Sequence, residues 1–284
     1  MQYSIVMFAY NEEKNIERSV SSIYENVDQD LVNLIVIANG CTDNTVPILQ
    51  SFVVSGKFPK LKIVELSIGD KCNAWNEYIH SISGDEEVHF FTDADVQFTK
   101  NAFSQMAQKL TSSPNASAIA GLPFSGRNIE QYRKMVTEYH LLFGNCYGLK
   151  RSFLEIVREK EFYLPIGLGW IDSAITKAVK RDIKDIDAPI NERVTFDTNC
   201  GYLFSKLSYF KLDDIKLYIS RIARYKTGQL QQSHLEKMSF LEWPRELSEI
   251  NNKILTDIEN GVVKLNPFLK SRIVKRLNKK IVVK

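Results

Sequence analysis

The first 125 residues alternate between short apolar runs and longer segments in which apolar residues recur at helical spacing. Four near-continuous apolar runs predict buried strands, at residues 3–10, 33–40, 61–67 and 88–95. The segments that follow them predict helices, at residues 12–26, 43–53, 70–82 and 99–110, and Asp70 is the expected N-cap of the helix at 70–82. Strands that alternate with helices are typical of βαβ units, and strands without polar alternation are typical of a parallel sheet covered on both faces. The pattern therefore predicts an α/β fold with a Rossmann-like, mostly parallel sheet flanked by helices.

The pattern beyond residue 116 is less regular. It predicts strands at 117–124, 146–151 and 190–199, and a helix at 128–144. A glycine-containing loop at 164–171 opens into a helix near Asp172, and the chain after residue 208 reads as helical. We therefore expect a main domain of residues 1–207, with halves 1–115 and 116–207, followed by a helical extension of residues 208–284.

Polar residues follow the predicted strands at the edge of the sheet where ligands bind in open α/β folds. Asp93 and Asp95 end the fourth strand, and two carboxylates at positions i and i+2 of a strand point the same way. Two like charges placed close together repel each other unless a cation lies beside them. Mg²⁺ and Mn²⁺ prefer such oxygen ligands together with water and substrate phosphates. The pair predicts a divalent metal that holds a diphosphate, and the alternative is two solvated loop aspartates.

Several motifs in the same order resemble glycosyltransferase family 2, the inverting GT-A enzymes that use nucleotide-sugar donors. The resemblance covers roughly residues 1–110 and rests on four segments: "AYNEEKNIERSVSSI", "IVIANGCTDNT", "GDKCNAWNEYI" and "FFTDADV". It implies a GT-A fold in which residues 1–115 bind the nucleotide sugar and residues 116–207 face the acceptor. It also implies Mn²⁺ or Mg²⁺ as the cofactor, with Asp93 and Asp95 as its ligands. The donor-binding positions it implies are Ala9, Tyr10, Asn11, Glu12, Asn39, Lys71, Asn73, Asp93, Ala94 and Arg224.

The segment "GLGWIDSAI" resembles the part of the family that carries the general base, although the family often has two acidic residues where only Asp172 stands here. An inverting transfer needs a base for the acceptor hydroxyl, on the face opposite the leaving nucleotide. We therefore expect Asp172 to be that base; the alternative is a carboxylate that only complements a helix dipole. Lys71 and Arg224 are expected to stabilise the leaving diphosphate, the alternatives being a surface lysine and a solvated helix arginine.

Two positions carry weaker expectations. Family members commonly have Asp where Asn39 stands, so this chain departs from the pattern for uridine recognition, and Asn39 as a simple turn former is the alternative. His234 is a candidate third metal ligand, because a C-terminal histidine joins the metal in some GT-A enzymes; a solvated helix histidine is its alternative. "ISRIARYKTGQ" is a weakened form of the Q-x-x-R-W segment of processive synthases, without its Gln and Trp.

Charge is distributed unevenly along the 284 residues. Residues 261–284 hold 8 Lys or Arg and no Asp or Glu, whereas the other 260 residues hold 29 basic and 34 acidic residues. Within 266–284, Leu269, Ile273, Leu277 and Ile281 recur every fourth residue. A basic amphipathic helix is expected either to lie on an anionic membrane surface or to pack on its own domain or on a dimer partner. No nucleic-acid partner is expected, because the tail has one aromatic residue and the rest of the chain is acidic.

The four cysteines, Cys41, Cys72, Cys146 and Cys200, form no C-x-x-C pair and are expected to be reduced thiols. Neither a signal peptide nor an apolar run of about 18 residues is evident, which predicts a cytoplasmic protein, peripheral on the inner face of the cell membrane if the tail binds lipid.

By resemblance, the expected activity is metal-dependent inverting transfer of a sugar from a nucleotide sugar, with UDP-sugar favoured. The expected acceptor is a hydroxyl of a glycan or lipid-linked molecule in surface polysaccharide or glycolipid assembly. The alternatives are a non-catalytic nucleotide-sugar-binding or scaffolding protein, and a sugar nucleotidyltransferase, which lacks support because "AYNEEKN" has no glycine.

Overall fold

The computed structural model describes residues 1–126, 128–204 and 212–278. In these residues eight strands form one sheet, in the order β3-β2-β1-β4-β7-β6-β8-β5. The strands are β1 (Tyr3–Ala9), β2 (Leu31–Asn39), β3 (Leu61–Leu66), β4 (Val88–Asp93), β5 (Val96–Phe98), β6 (Ala118–Pro123), β7 (Cys146–Lys150) and β8 (Val194–Phe204). The helices are α1 (Ile16–Tyr24), α2 (Thr45–Ser55), α3 (Lys71–Glu77), α4 (Ala102–Thr111), α5 (Ile129–Tyr139), α6 (Arg151–Glu159), α7 (Ile171–Lys180), α8 (Leu212–Leu235), α9 (Ser248–Glu259) and α10 (Pro267–Leu277).

The sheet is parallel in its first half and mixed in its second. Strands β1, β2, β3 and β4 pair in parallel, as the βαβ pattern predicts. Strand β7 runs antiparallel between β4 and β6, and β8 pairs in parallel with β6 and antiparallel with β5. The mostly parallel α/β sheet flanked by helices is therefore confirmed, and the antiparallel β7 joins its two halves.

Alternate side chains of the central strands enter buried clusters on opposite faces of the sheet. Ile5 and Met7 of β1 lie in one cluster, whereas Val6 and Phe8 lie in the other, and all four are buried. Because both faces of β1 are covered, no polar alternation is needed along the strand, which explains its continuous apolar run. The same arrangement leaves the strand ends as the place where polar side chains reach solvent.

Two elements were absent from the sequence prediction, and one was predicted too long. Strand β5 has only three residues, and α6 directly follows β7. The helix predicted at 128–144 ends at Tyr139, because His140 adopts a left-handed conformation with φ of 51°. The residues that follow are a loop, which places Gly144 against Asp172 and Lys71.

The three C-terminal helices form a small apolar cluster of their own. Ala223 of α8, Ile254 and Ile258 of α9, and Ile273 and Leu277 of α10 are all buried in it. The apolar stripe of the basic tail therefore packs within its own chain, which is one of the two alternatives, and Ile281 lies outside the described residues. The predicted boundary between residues 207 and 208 also lies outside them. Over the described ranges, no helix combines the length and hydropathy required to cross a membrane.

Candidate active site

The loops that follow β1 and β2 are tied together by side-chain hydrogen bonds. Asn11 adopts a left-handed conformation with φ of 56°, and its Oδ1 accepts the Thr42 N–H at 2.8 Å. The Glu12 N–H donates to the Thr45 hydroxyl at 2.8 Å, and that hydroxyl in turn donates to Asp43 at 2.6 Å. Asp43 also accepts the N–H groups of Glu13 and Thr45, each at 3.0 Å, so it supports both the loop after β1 and the start of α2. These bonds fix the main chain of the predicted donor loop.

Asn39, at the end of β2, is buried and connects that strand to the lysine turn. Its Oδ1 accepts the Asp70 N–H at 3.2 Å. Beside it, Gly40 has φ of 69°, and a Cβ built on it would lie 2.8 Å from the Cα of Gly69. The two loops thus approach closely because both positions are glycine. Tyr10, which is 53% exposed, covers the same turn from the side of β1.

Asp70 holds the first turn of α3 with one carboxylate oxygen and a distant loop with the other. Its Oδ1 accepts the N–H groups of Cys72 at 2.8 Å and Asn73 at 3.0 Å, as an N-cap residue does. Its Oδ2 accepts the Gly167 N–H at 3.0 Å. The predicted N-cap is confirmed, and the same side chain joins the donor half to the segment that precedes Asp172.

The two aspartates after β4 each face a cation. The Lys71 ammonium forms an ion pair with Asp93, and the Arg221 guanidinium lies 3.7 Å from Asp95. Burial and the neighbouring Asp93 raise the pKa of Asp95, whereas Arg221 opposes that shift. Ala94, between the aspartates, is buried. The predicted pair therefore lies in a partly buried site in which each carboxylate needs a positive neighbour.

Asp172 lies in the first turn of α7, beside Lys71. Burial is the largest cause of its raised pKa; the charge of Asp93 adds to it, while Lys71 and a hydrogen bond from the Gly144 main chain oppose it. A Cβ built on Gly144 would lie 2.7 Å from the Asp172 Oδ1 and 2.8 Å from the Lys71 Nζ. A side chain at position 144 would force one of these two groups to shift, and a carboxylate with a raised pKa is a stronger base.

The loop that precedes Asp172 packs against α8 through glycines. A Cβ on Gly228 would lie 2.4 Å from the Cβ of Trp170, so helix and loop touch directly. The Gly169 N–H donates to the Gln231 Oε1 at 2.8 Å, and the Gln231 Nε2 donates to the Gly167 carbonyl at 3.0 Å. Helix α8 therefore fixes the path of the loop that carries Asp172.

Glu12 is a predicted donor residue whose pKa is raised. Burial, followed by the charges of Asp95, Asp93 and Asp43, raises its pKa to about 7, and a hydrogen bond from Asn15 opposes the shift. The carboxylates of β1 and β4 thus influence one another across the strand ends. Negative charge concentrates at this edge, which favours a cation there.

Arg224 is exposed on α8, and its charge acts on the same site. The pKa of both Lys71 and Asp172 is raised, and the positive charge of Arg224 opposes each of these shifts. One turn earlier, Arg221 acts on Tyr132 of α5, whose pKa is raised mainly by burial. Helix α8 therefore lies along one side of the site and α5 along another.

His234 is the one predicted metal ligand that the structure does not bring to the aspartates. It lies near the end of α8, where burial, followed by Lys253 and Lys237, lowers its pKa. Neither Asp93 nor Asp95 is among the groups that act on it. Across the described ranges, no group of three or more His, Cys, Asp or Glu side chains is arranged to hold a metal by itself.

Asp93 and Asp95 nevertheless suit a divalent cation that shares its coordination with substrate. They are two oxygen donors at one strand end, and their mutual repulsion is the kind that a bound cation relieves. Mg²⁺ and Mn²⁺ sites of this type use one or two carboxylates and fill the remaining positions with water and phosphate oxygens.

Sequence reasoning missed the role of Gly144 and of the helix–loop contacts made by Gly228 and Gln231. The first glycine in "FGNCYG" carries no signal that it will meet the carboxylate of Asp172, 28 residues later in the chain. Gln231 follows Arg224 by two turns on the same helix, but its partners lie in a loop about 60 residues earlier. These contacts depend on tertiary packing.

The model of the family described as Glycosyl transferase family 2 matches residues 4–167, more than half of the chain. This range contains the strand-end loops, the lysine turn and both aspartates after β4, but ends before Asp172. No curated protein matches the sequence.

Solved structures share the fold at low sequence identity. The mannosyltransferase PcManGT from Pyrobaculum calidifontis, in complex with GDP-Man and Mn²⁺, superposes with a TM-score of 0.62 at 15% identity, over 97% of this chain and 84% of that one. TarS 1-349 from S. aureus, in complex with UDP-GlcNAc, gives 0.54 at 14% identity, over 97% and 79%. Glucosyl-3-phosphoglycerate synthase from Mycobacterium tuberculosis, with Mn²⁺, UDP-glucose and phosphoglyceric acid, gives 0.51 at 18% identity, over 80% and 79%.

Proposed function

The chain belongs to glycosyl transferase family 2 and is a glycosyltransferase, and from this premise we propose that it performs metal-dependent inverting transfer from a nucleotide sugar to an acceptor hydroxyl. The observation that carries this proposal is the meeting of three groups: Asp93 at a strand end, Lys71 at a helix start and Asp172 from the second half of the chain. A diphosphate site and a base are thus contiguous.

In the proposed reaction, Asp172 accepts the proton of the acceptor hydroxyl as its oxygen attacks the anomeric carbon. The raised pKa of Asp172 suits it to hold that proton, and the Gly144 main chain and Lys71 keep the carboxylate oriented. The bond from the anomeric carbon to the diphosphate breaks on the opposite face, which inverts the configuration. The leaving diphosphate receives the positive charges of Lys71 and Arg224.

Asp93 and Asp95 would hold Mn²⁺ or Mg²⁺, as the fit of their two carboxylates suggests. When bound, the cation would supply positive charge to the leaving diphosphate. Lys71 pairs with Asp93 and its charge also acts on Asp172, so it would add to the positive charge that the cation supplies. The proposed Mn²⁺ use accords with the Mn²⁺ named in the complexes of the mannosyltransferase and the phosphoglycerate synthase.

We propose a nucleoside pocket formed by the main chain of residues 9–12, with Asn39 behind it. The Oδ1 of the buried Asn39 accepts the Asp70 N–H, so we expect Asn39 to contribute to the shape of this pocket. UDP-sugar remains the favoured donor, and a glycan or lipid-linked hydroxyl the favoured acceptor, in surface polysaccharide or glycolipid assembly.

The alternative is a protein of the same fold that binds nucleotide sugars without turnover. Its main difficulty is that the residues proposed for turnover are assembled: Asp172 contacts Gly144 and acts on Lys71, which in turn pairs with Asp93. A binding protein has no need for a base with a raised pKa beside the diphosphate site.

Thermal unfolding with a panel of nucleoside diphosphates and nucleotide sugars, with Mn²⁺ and with EDTA, tests the donor site. A ligand at 100 times its Kd stabilises the folded state by about 2.7 kcal/mol, which shifts the transition measurably. We expect one nucleotide class to stabilise the protein only with the metal, and Asp95→Ala to abolish the effect. Stabilisation by none of the nucleotides would overturn the donor assignment. Stabilisation without slow hydrolysis of the donor would favour the binding protein.

A further inference from the structure

The loop of residues 165–170 leads directly into α7, the helix that carries Asp172, but belongs to no helix and to none of the eight strands. None of its residues is exposed, and Gly167 has φ of 92°, a conformation that strains any residue with a side chain. A loop that water does not surround needs partners elsewhere in the protein for its N–H and C=O groups. The position of Asp172 therefore depends on what bonds to this loop.

The C-terminal helical extension supplies several of these partners, first through its main chain. The Ile166 N–H donates to the Arg245 carbonyl at 2.8 Å, and the Leu247 N–H donates to the Ile166 carbonyl at 3.1 Å. Residues 245 and 247 lie between α8 and α9, so the segment that connects these two helices is bonded to the start of the loop.

Gln231 of α8 continues this attachment with its side chain. Its exposed fraction is 1%, its Oε1 accepts the Gly169 N–H, and its Nε2 donates to the Gly167 carbonyl. Nε2 also donates to the Oδ1 of Asn251, on α9, at 2.9 Å, which fixes the orientation of the amide. The two bonds to the loop need an acceptor and a donor side by side, which a carboxamide provides.

The next residue of α8, Gln232, offers a comparison within the same helix. It is 5% exposed, and over the described residues neither its Oε1 nor its Nε2 has a hydrogen-bond partner. Both glutamines are therefore buried, but only Gln231 is bonded to the loop. This contrast separates the effect of holding the loop from the effect of burying an amide in α8.

We propose that Gln231, held by Asn251, is a positioning residue that sets the loop before Asp172 and so directs its carboxylate towards the acceptor hydroxyl. The proposal rests on the proposed function, in which Asp172 is the base. The loop is held from two sides at Gly167, whose N–H donates to Asp70 and whose carbonyl accepts from Gln231. The C-terminal extension, which lies beyond the range that the family model matches, is thereby part of the catalytic unit.

Gln231→Met tests the proposal, because methionine has a side chain of similar length and makes none of these hydrogen bonds. The measurement is the slow hydrolysis of UDP-glucose, UDP-GlcNAc and GDP-mannose with Mn²⁺, in which water takes the place of the acceptor. A displacement of about 1 Å in a reacting group can lower turnover about 10²-fold, so we expect kcat to fall about 10- to 100-fold. The donor KM and the nucleotide-dependent thermal stabilisation should stay unchanged, because the donor loops keep their contacts.

Gln232→Met is the matched control, and it should leave kcat unchanged because no bond to the loop is lost. Asn251→Ala is a milder second variant, which decides the matter if Gln231→Met does not fold. It removes only the partner that orients the Gln231 amide and should lower kcat by a smaller factor. An unchanged kcat in Gln231→Met, an equal fall in both methionine variants, or a raised donor KM with unchanged kcat would overturn the proposal.

Hydrogen exchange followed by mass spectrometry gives a readout that does not depend on turnover. Peptides that cover residues 164–171 should exchange faster in Gln231→Met than in Gln232→Met or the wild type, because the Gly169 N–H loses its acceptor. Equal exchange in all three proteins would contradict the attachment of the loop by Gln231. Absence of hydrolysis by the wild type with every donor would instead contradict the proposed function, and faster exchange in Gln231→Met alone would still assign Gln231 to the loop.

Discussion

The proposed donor side and the proposed acceptor side of the site are built in different ways. On the donor side, β1, β2 and β4 are neighbours in a parallel sheet, so the polar residues that follow them meet at one edge by chain order alone. On the acceptor side, Gly144, Asp172 and Arg224 come from a loop and two helices that are far apart in sequence. Their meeting depends on how α7 and α8 pack.

This difference suggests how each side fails when it is altered. A change on the donor side should weaken nucleotide binding while the scaffold persists, because the strands are buried on both faces. A change on the acceptor side should lower turnover while nucleotide binding persists. Lys71, which pairs with Asp93 and acts on Asp172, belongs to both sides and should affect both measurements.

The largest effect is expected from Asp172→Asn. Without the base, kcat should fall by about 10²- to 10⁴-fold, while nucleotide-dependent stabilisation is retained. Glu249→Gln is the control, since Glu249 is also a carboxylate in the first turn of a helix and should matter only for the helix dipole. If kcat falls only slightly and by the same factor in both variants, Asp172 is not the base and only complements the dipole of its helix.

Lys71→Met should lower kcat/KM by about 10²-fold, because a positive group aimed at the leaving diphosphate is lost. The donor Kd should rise as well, which distinguishes this variant from Asp172→Asn. Without its ammonium partner, Asp93 should bind Mn²⁺ in the absence of nucleotide at least as tightly as before. Lys62→Met, at an exposed position of β3, supplies the control in steady-state kinetics and Mn²⁺ titration.

Gly144→Ala should lower kcat about tenfold and leave donor affinity nearly unchanged, because the added methyl pushes the Asp172 carboxylate from its position. Asn145→Ala, one residue further along the same loop, should have little effect. If both variants lose donor affinity to the same extent, the loop serves the donor side and the contrast between the two sides fails here.

The smallest expected effect concerns stability and comes from Glu12. Its pKa is raised from 4.5 to about 7 in the folded protein, so the folded state binds the proton more tightly than the unfolded chain does. Stability should therefore fall as pH rises from about 4.5 to 7 and stay lowered above that range. Relative to Glu12→Gln, the wild type should lose about 2 kcal/mol between pH 4.5 and 8 in urea unfolding. Parallel curves for the two proteins would contradict the raised pKa.

The donor side was largely predictable from the sequence. The spacing of apolar residues predicts its strands, and the order of those strands along the chain predicts which strand ends meet. Continuous apolar runs predicted β1 to β4, and Asp70 was recognised as an N-cap from its place before a helical pattern. Strand β5 was missed because three residues carry too little pattern. The helix at 128–144 was predicted too long because nothing in the sequence marks His140 as a left-handed terminator.

On the acceptor side, only the residues indicated by the resemblance to glycosyltransferase family 2 could be predicted. Asp172 was chosen from a motif, but its contact with Gly144 follows from packing that no local pattern encodes. The apolar stripe of α10 illustrates the same limit. Its four-residue spacing shows that one face is apolar, but whether lipid, a second copy or α8 covers that face depends on the rest of the fold.

Asp70 has a consequence for the exchange of parts between members of the family. With one oxygen it starts the helix that carries Lys71, and with the other it holds the Gly167 N–H, at the end of the range that the family model matches. A chimera that joined the donor half of this chain to the acceptor half of another member would replace one of the two partners of the Asp70 carboxylate, the Gly167 N–H, and keep the other, the start of α3. Transplanted halves should therefore work only when the incoming loop offers a main-chain N–H at the position of Gly167, whatever else about its acceptor specificity is changed.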